Sequence, residues 1–163
     1  MKILTLSDRV EPVLHDQFDQ RQFDDADLIL ACGDLPPEYL SFVSGKLNVP
    51  LYFVRGNHDL RYEAGPPPGC VNLADNLVQF RGKNILGLEG SRWYNGGRHQ
   101  YTEREMRRKI RHLRPRIWWK GGIDIVITHA PPRHRPWPGI NLDLWHQNES
   151  KSYPGPCCRS SSG

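Results

Sequence analysis

One short segment constrains the fold of this chain more than any other. It is an apolar run at residues 49–54 (VPLYFV) that leads directly into the polar segment 55–59 (RGNHD). Such a run is typical of a buried strand, and a glycine followed by polar side chains is how an open α/β sheet presents chemistry at its carboxyl edge. A plain turn explains Gly-Asn equally well when the segment is taken alone. The other strand ends therefore decide its meaning.

Three more apolar runs each end in a side chain that can bind a metal ion or move a proton. They are residues 2–7 before Asp8, residues 28–32 before Gly33 and Asp34, and residues 123–128 before His129. Four predicted strands thus carry carboxylate, amide or imidazole groups at the same end. We expect these groups to meet along one rim of the fold.

The segment between the second and third predicted strands indicates an α/β fold. Pro36 and Pro37 suit the first turn of a helix, and apolar residues recur at helical spacing through residues 39–47. A strand, helix and strand of this length form a right-handed crossover between parallel strands. Farther along, residues 77–80 and 85–88 predict a hairpin.

Together, Asp8, Gly33-Asp34, the segment 56–59 (GNHD) and His129 resemble the calcineurin-like metallophosphoesterases. That family's pattern is Asp-x-His, Gly-Asp, Gly-Asn-His-Asp/Glu, a His after a strand, and a final Gly-His-x-His. The resemblance implies an α/β fold, a sandwich of two mixed β-sheets flanked by helices. It implies a partial, C-terminally incomplete metallophosphoesterase domain at residues 1–132.

The sequence departs from the family pattern at two places. Val10 stands where the family has its first His, and no Gly-His-x-His follows His129. Both departures remove ligands from the same metal ion, so they would impair activity.

The resemblance implies two divalent metal ions with Asp34 between them. Asp8 would bind the first ion, and Asn57 and His129 would bind the second. Such a pair of ions activates a water and holds the phosphoryl oxygens, so that a phosphate ester is attacked at neutral pH. Mn²⁺ is the ion we expect, while Fe, Zn or Mg suit the same ligand types.

The same resemblance assigns catalytic roles to the residues after Asn57. His58 would be the general acid that protonates the leaving oxygen, and Asp59 would keep His58 oriented and charged. Arg9 and Arg55 are candidates for binding the substrate phosphate, because the planar fork of arginine matches such oxygens. The implied activity is hydrolysis of a phosphomonoester or phosphodiester by metal-activated hydroxide, as in a phosphatase or phosphodiesterase.

A second interpretation rests on a basic helix predicted at residues 104–114, with Pro115 marking its end. Clustered arginines neutralise phosphates and release counterions. The alternative function is therefore a catalytically weak or inactive module that binds nucleic acid or another partner. A solvated helix flank explains the same pattern without a partner. Trp118 and Trp119 suit either the core or a stacking surface.

Length and composition narrow the classes of protein that remain. The 163 residues suit one domain, and the formal net charge of +4 does not by itself require nucleic acid. No stretch approaches the roughly 20 apolar residues of a membrane span, and the first apolar run is too short for a signal peptide. We therefore expect a cytoplasmic protein without membrane attachment. The four cysteines, at positions 32, 70, 157 and 158, indicate neither a disulfide framework nor a structural zinc site.

Residues 133–163 have neither helical nor strand periodicity and end in CCRSSSG. Two interpretations account for this stretch. It is either the product of an altered reading frame or a truncated gene end, or it is a native, disordered tail.

Overall fold

The chain folds as an α/β structure with two main β-sheets and two α-helices among the residues described. The structure is a computed structural model, and it describes residues 1–15, 18–23, 25–59, 61–62 and 65–130. The tail at residues 133–163, which includes Cys157 and Cys158, lies outside the described residues. No helix in the described part of the chain is long and apolar enough to cross a membrane.

The elements follow one another in a strand-rich order. In sequence they are β1 (Ile3–Leu6), β2 (Leu28–Ala31), α1 (Pro37–Leu47), β3 (Leu51–Phe53), β4 (Cys70–Asn72), β5 (Asn76–Phe80), β6 (Lys83–Leu88), β7 (Ser91–Arg92), β8 (Gln100–Tyr101), α2 (Glu103–Trp119) and β9 (Ile125–Thr128).

The first sheet has the order β1-β2-β3-β4, and every neighbouring pair is parallel. Helix α1 makes the predicted crossover from β2 to β3. It ends at Leu47, and the next residue, Asn48, has a φ of 53°, the left-handed conformation common just after a helix. Because the strands are parallel, the residues that follow β1, β2 and β3 emerge at one edge.

The second sheet has the order β5-β6-β9 and is mixed. Strands β5 and β6 form the predicted hairpin around Arg81 and Gly82, both at positive φ (47° and 78°). Positive φ at both central residues is the conformation of a tight two-residue hairpin turn. Strand β9 lies parallel to β6, so His129 belongs to a different sheet from the other predicted ligands.

The two sheets pack face to face between the two helices. Leu30 of the first sheet belongs to a core cluster with Ile85 and Ile127 of the second. The next residue along the chain, Ile29, packs instead in a cluster with Leu40 of α1. Side chains that alternate between two buried faces explain why β2 is apolar throughout. The second sheet likewise buries its outer face against α2.

Helix α2 extends beyond its predicted end. It begins at a capping box formed by Thr102 and Glu105 and continues through Pro115 to Trp119. The prediction that Pro115 ends the helix is therefore wrong. Proline removes the hydrogen bond to the carbonyl of residue 111, but residues 111 and 115 are both exposed, so water can reach the unpaired carbonyl.

Trp118 and Trp119 lie at the end of α2 and are 84% and 77% exposed. Their placement in the core, one of the two interpretations of the sequence, is wrong. The apolar face of α2 is supplied instead by Ile110 and Leu113.

Candidate active site

Three of the predicted metal ligands meet at the carboxyl edge of the sheets. Oxygen atoms of Asp8 and Asp34 and a ring nitrogen of His129 all lie within 4.8 Å of one another. Asp8 follows β1, Asp34 follows β2, and His129 follows β9. The cluster therefore joins both sheets.

Two glycines allow this close approach. A Cβ on Gly33 would lie 2.6 Å from the backbone nitrogen of Gly56 and 2.9 Å from Nδ1 of His129. A Cβ on Gly56 would lie 2.1 Å from Oδ1 of Asp34. The glycines of the Gly-Asp and Gly-Asn segments thus pack against each other, and no larger residue fits at either position.

The backbone at both aspartates is unusual. Asp8 has a φ of 61° and Asp34 a φ of 57°, the left-handed region that non-glycine residues rarely adopt. Such conformations concentrate at functional sites, where the surrounding structure holds them. Here the amide of Asp8 donates to the carbonyl of Gly33, and Ser7 Oγ donates to Asp8 Oδ2.

The hydrogen bonding of His129 fits a metal ligand. Its Nδ1 lies 3.0 Å from the carbonyl oxygen of Cys32, which can only accept, so Nδ1 carries the proton. When the ring is neutral, the lone pair of Nε2 faces Asp34 Oδ2, 3.4 Å away. Two lone pairs face each other across this distance, and a cation or proton between them makes the arrangement favourable. Two carboxylates with one imidazole are ligands that divalent transition metals accept.

The segment 56–59 wraps around Asp34. The backbone N–H of His58 donates to Asp34 Oδ1 at 3.0 Å, while Oδ2 of the same carboxylate faces His129. The side chain of His58 is exposed beside this contact. Asn57 donates its Nδ2 to the hydroxyl of Tyr94 at 3.0 Å. Its amide oxygen is then the atom of Asn57 available to a metal ion.

Asp59 is buried and binds backbone rather than solvent. Its Oδ2 accepts from the amides of Asp34 and Gly56, both at 2.8 Å. Burial raises the pKa of Asp59, and the charge of Asp34 adds to that rise, while the two amide donors oppose it. The carboxylate therefore ties the two loops of the site together, a contact that the sequence interpretation of Asp59 did not include.

The two predicted substrate arginines differ in their surroundings. Arg9 is exposed after β1, next to Asp8. Arg55 donates from Nε to Glu89 Oε2 at 2.8 Å, and its second nitrogen lies 2.7 Å from the same oxygen. This ion pair engages two of the three guanidinium nitrogens of Arg55, and its role in binding the substrate phosphate stays a prediction.

Glu89 is the centre of a buried polar cluster that sequence reasoning missed. Besides Arg55, it accepts from Tyr101 at 2.7 Å and lies 3.6 Å from Lys109 of α2. Burial alone would raise the pKa of Glu89, but the hydrogen bond from Tyr101 and the charges of Arg55 and Lys109 hold it below its ordinary value. Nothing in the sequence pattern signals this cluster, because its members are distant in the chain.

The structure describes one of the two places where the sequence departs from the family pattern. Val10 is 40% exposed and supplies no ligand atom. A replacement for the missing Gly-His-x-His would fall among residues that the structure does not describe.

Tyr94 lies next to the site through its contact with Asn57, and sequence reasoning missed it. The glycine-rich loop that carries Tyr94 could be recognised in the sequence at residues 89–97.

The chain belongs to the calcineurin-like phosphoesterase family, whose model matches residues 6–157. The family acts on phosphate esters and is a family of hydrolases, so the predicted family, fold class and enzyme class are confirmed. The match also extends into residues 133–157, and the predicted domain boundary at 132 stays a prediction.

The other comparisons add evidence on the fold. A crystal structure superimposes with a TM-score of 0.57 at 13% sequence identity, covering 80% of this chain and 69% of the other. Identity this low supports a shared fold and nothing finer. Among curated proteins, none matches this chain.

Proposed function

We propose that this chain hydrolyses a phosphomonoester or phosphodiester with divalent metal ions held by Asp8, Asp34 and His129. The observation that carries the proposal is the convergence of these three residues within 4.8 Å. Asn57 would add its amide oxygen as a further ligand, and Asp34 would supply ligand atoms to both ions. When bound, the ions supply an activated water and neutralise phosphate charge. Mn²⁺ is the ion we test first.

The remaining site residues have distinct roles in this proposal. His58 is exposed and anchored through its backbone to Asp34, so its ring is available to give a proton to the leaving oxygen. Arg9, exposed beside Asp8, would contact a phosphate oxygen. Asp59 would support His58 indirectly, because it fixes the loop that carries His58. The cytoplasmic location stays a prediction from the sequence.

Hydrolysis of p-nitrophenyl phosphate and bis-p-nitrophenyl phosphate with added Mn²⁺ tests the proposal and separates monoesters from diesters. Asp34→Asn should abolish turnover, and His58→Ala should lower it by about 10² to 10⁴-fold, the usual contribution of a general acid. Asp25→Asn and His112→Ala are matched controls on exposed surface and should leave turnover unchanged. Full activity in Asp34→Asn would contradict the proposal.

A second candidate function follows from the exposed face of α2. Six arginines of this helix are exposed: Arg104, Arg107, Arg108, Arg111, Arg114 and Arg116. In the part of the chain that the structure describes, no ion pair involves Arg104, Arg108 or Arg111, which line a surface groove with His112. Unpaired arginines on a helix that ends in two exposed tryptophans suit a single-stranded nucleic acid.

Fluorescence anisotropy with a labelled single-stranded oligonucleotide tests this second function. Affinity should fall steeply with added salt, and changing Arg104, Arg108 and Arg111 to Gln should reduce both affinity and salt dependence. Changing the distant, exposed Arg21 to Gln is the control. Equal binding by the triple variant and the control would reject α2 as the binding surface.

A further inference from the structure

The loop between β7 and β8 is held in a defined shape by side chains of the loop and of β8. We call residues 93–99 the aromatic loop. Oε1 of Gln100 accepts from the amides of Tyr94 and Asn95 at 3.1 and 3.2 Å. In return, Oδ1 of Asn95 accepts from Nε2 of Gln100 at 2.6 Å and from the amide of Gly97 at 3.1 Å. The loop is therefore preorganised rather than dependent on a ligand for its conformation.

This ordered loop presents two aromatic side chains to solvent. Trp93 is 53% exposed and Tyr94 is 56% exposed. Aromatic rings of this size are normally buried or used at contact surfaces, since their exposure leaves apolar area in water. The strand that leads into the loop is tied to the segment after β3, because the amide of Gly90, just before β7, donates to the carbonyl of Arg55 at 2.7 Å.

Tyr94 stands at the edge of the candidate active site. Its hydroxyl accepts from Asn57 Nδ2 at 3.0 Å, and Asn57 lies between Gly56 and His58, both of which contact Asp34. Tyr94 therefore has its hydroxyl at the site and a side chain that is half exposed to solvent. A substrate group that leaves the site beside Asn57 would lie near this side chain.

We propose that Tyr94 makes this a site for phosphate esters that carry a planar aromatic group, such as a nucleobase, which stacks on the exposed ring. The inference rests on the proposed hydrolysis and narrows its substrate class. Stacking suits this geometry because an aromatic face accepts any planar base without hydrogen-bond matching, and each stacked base contributes substantially to affinity. The tyrosine hydroxyl has a separate role, which is to orient Asn57.

The test uses two substrates that differ only in the base: adenosine 5′-monophosphate and ribose 5-phosphate, with Mn²⁺. Tyr94→Phe removes the hydroxyl and keeps the ring, so it should change kcat/KM for both substrates by the same factor. Tyr94→Ala also removes the ring. Relative to Tyr94→Phe, it should lower kcat/KM for the nucleotide by about tenfold or more and leave ribose 5-phosphate within about twofold. The corresponding methyl diesters replace this pair if only diesters are hydrolysed.

Calorimetric binding of adenosine 5′-monophosphate separates this inference from the proposed hydrolysis. If the wild-type chain turns over neither these esters nor the p-nitrophenyl esters, the proposed function fails, whereas binding still decides the role of the ring. Weaker nucleotide binding by Tyr94→Ala than by Tyr94→Phe supports stacking. Equal nucleotide affinity of the two variants, or equal losses on both substrates, overturns it.

Discussion

At the scale of single residues, the site depends on two positions that carry no side chain. Gly33 and Gly56 let the loops after β2 and β3 pass in contact, and each is closed to a Cβ by neighbouring atoms nearer than 3.0 Å. Gly33 also has a φ of 98°, which disfavours any other residue. Asp34 and Asn57, two of the proposed metal ligands, are each placed by the glycine that precedes them.

We expect Gly33→Ala to lower the free energy of unfolding by more than about 2 kcal/mol, because steric overlap and backbone strain add. Gly45→Ala is the matched control. Gly45 lies in α1 with nothing within 4 Å of an added Cβ, so this change should stabilise by about 0.5 to 1 kcal/mol. Urea denaturation of both variants checks the pair. Equal stabilities would refute the close loop packing.

Asp59 offers a second test at this scale. Removing its carboxylate in Asp59→Ala leaves the amides of Asp34 and Gly56 without their acceptor. This should lower the free energy of unfolding by about 1 to 3 kcal/mol for each buried donor. Asp59→Asn keeps an acceptor oxygen and should retain most of the stability. Thermal unfolding distinguishes the two variants. If Asp59→Ala unfolds like the wild type, the carboxylate does not hold the loops.

At the scale of elements, α2 contains a residue that weakens it. Proline in a helix interior is about 3 kcal/mol less favourable than alanine, and Pro115 lies inside α2. Pro115→Ala should therefore raise the free energy of unfolding by as much as about 3 kcal/mol. Arg114→Ala, an exposed neighbour, should change it by less than about 0.5 kcal/mol. A destabilised Pro115→Ala protein would show that the proline is needed where it stands.

The Glu89 cluster connects the end of β3, the end of β6, and α2. Because the pKa of Glu89 is lower in the folded state than its ordinary value of 4.5, its charge contributes stability above that pH. The contribution is lost as the pH falls through the folded-state pKa. The difference in unfolding free energy between wild type and Glu89→Gln should therefore shrink on acidification from pH 7 to below 4.5. A constant difference across that range would contradict the assignment.

At the scale of the whole molecule, the sequence predicted which residues follow the strands but not which sheet each strand joins. Asp8, Asp34 and His129 could be predicted because each directly follows an apolar run, a local signal. The pairing of β9 with β6 could not be predicted, because strand pairing depends on contacts between residues far apart in the chain. The contact between Tyr94 and Asn57 could not be predicted for the same reason, because it depends on where the loop that carries Tyr94 lies. The helix continued past Pro115 because an exposed carbonyl tolerates the missing hydrogen bond, which sequence alone does not reveal.

The fold as a whole explains why these residues meet. Three parallel strands of one sheet and one strand of the other present their carboxyl ends at the same rim. The two sheets share a core that includes Leu30 and Ile127, and this packing brings His129 to Asp34. The proposed metal site is therefore a consequence of sheet packing rather than of one local motif.

Calorimetric titration with Mn²⁺ tests this convergence most directly. The folded wild-type chain should bind the ion, Asp34→Asn should weaken binding at least about tenfold, and Asp25→Asn, an exposed carboxylate, should match wild type. Circular dichroism establishes that each variant is folded. Equal Mn²⁺ binding by wild type and folded Asp34→Asn would contradict the account.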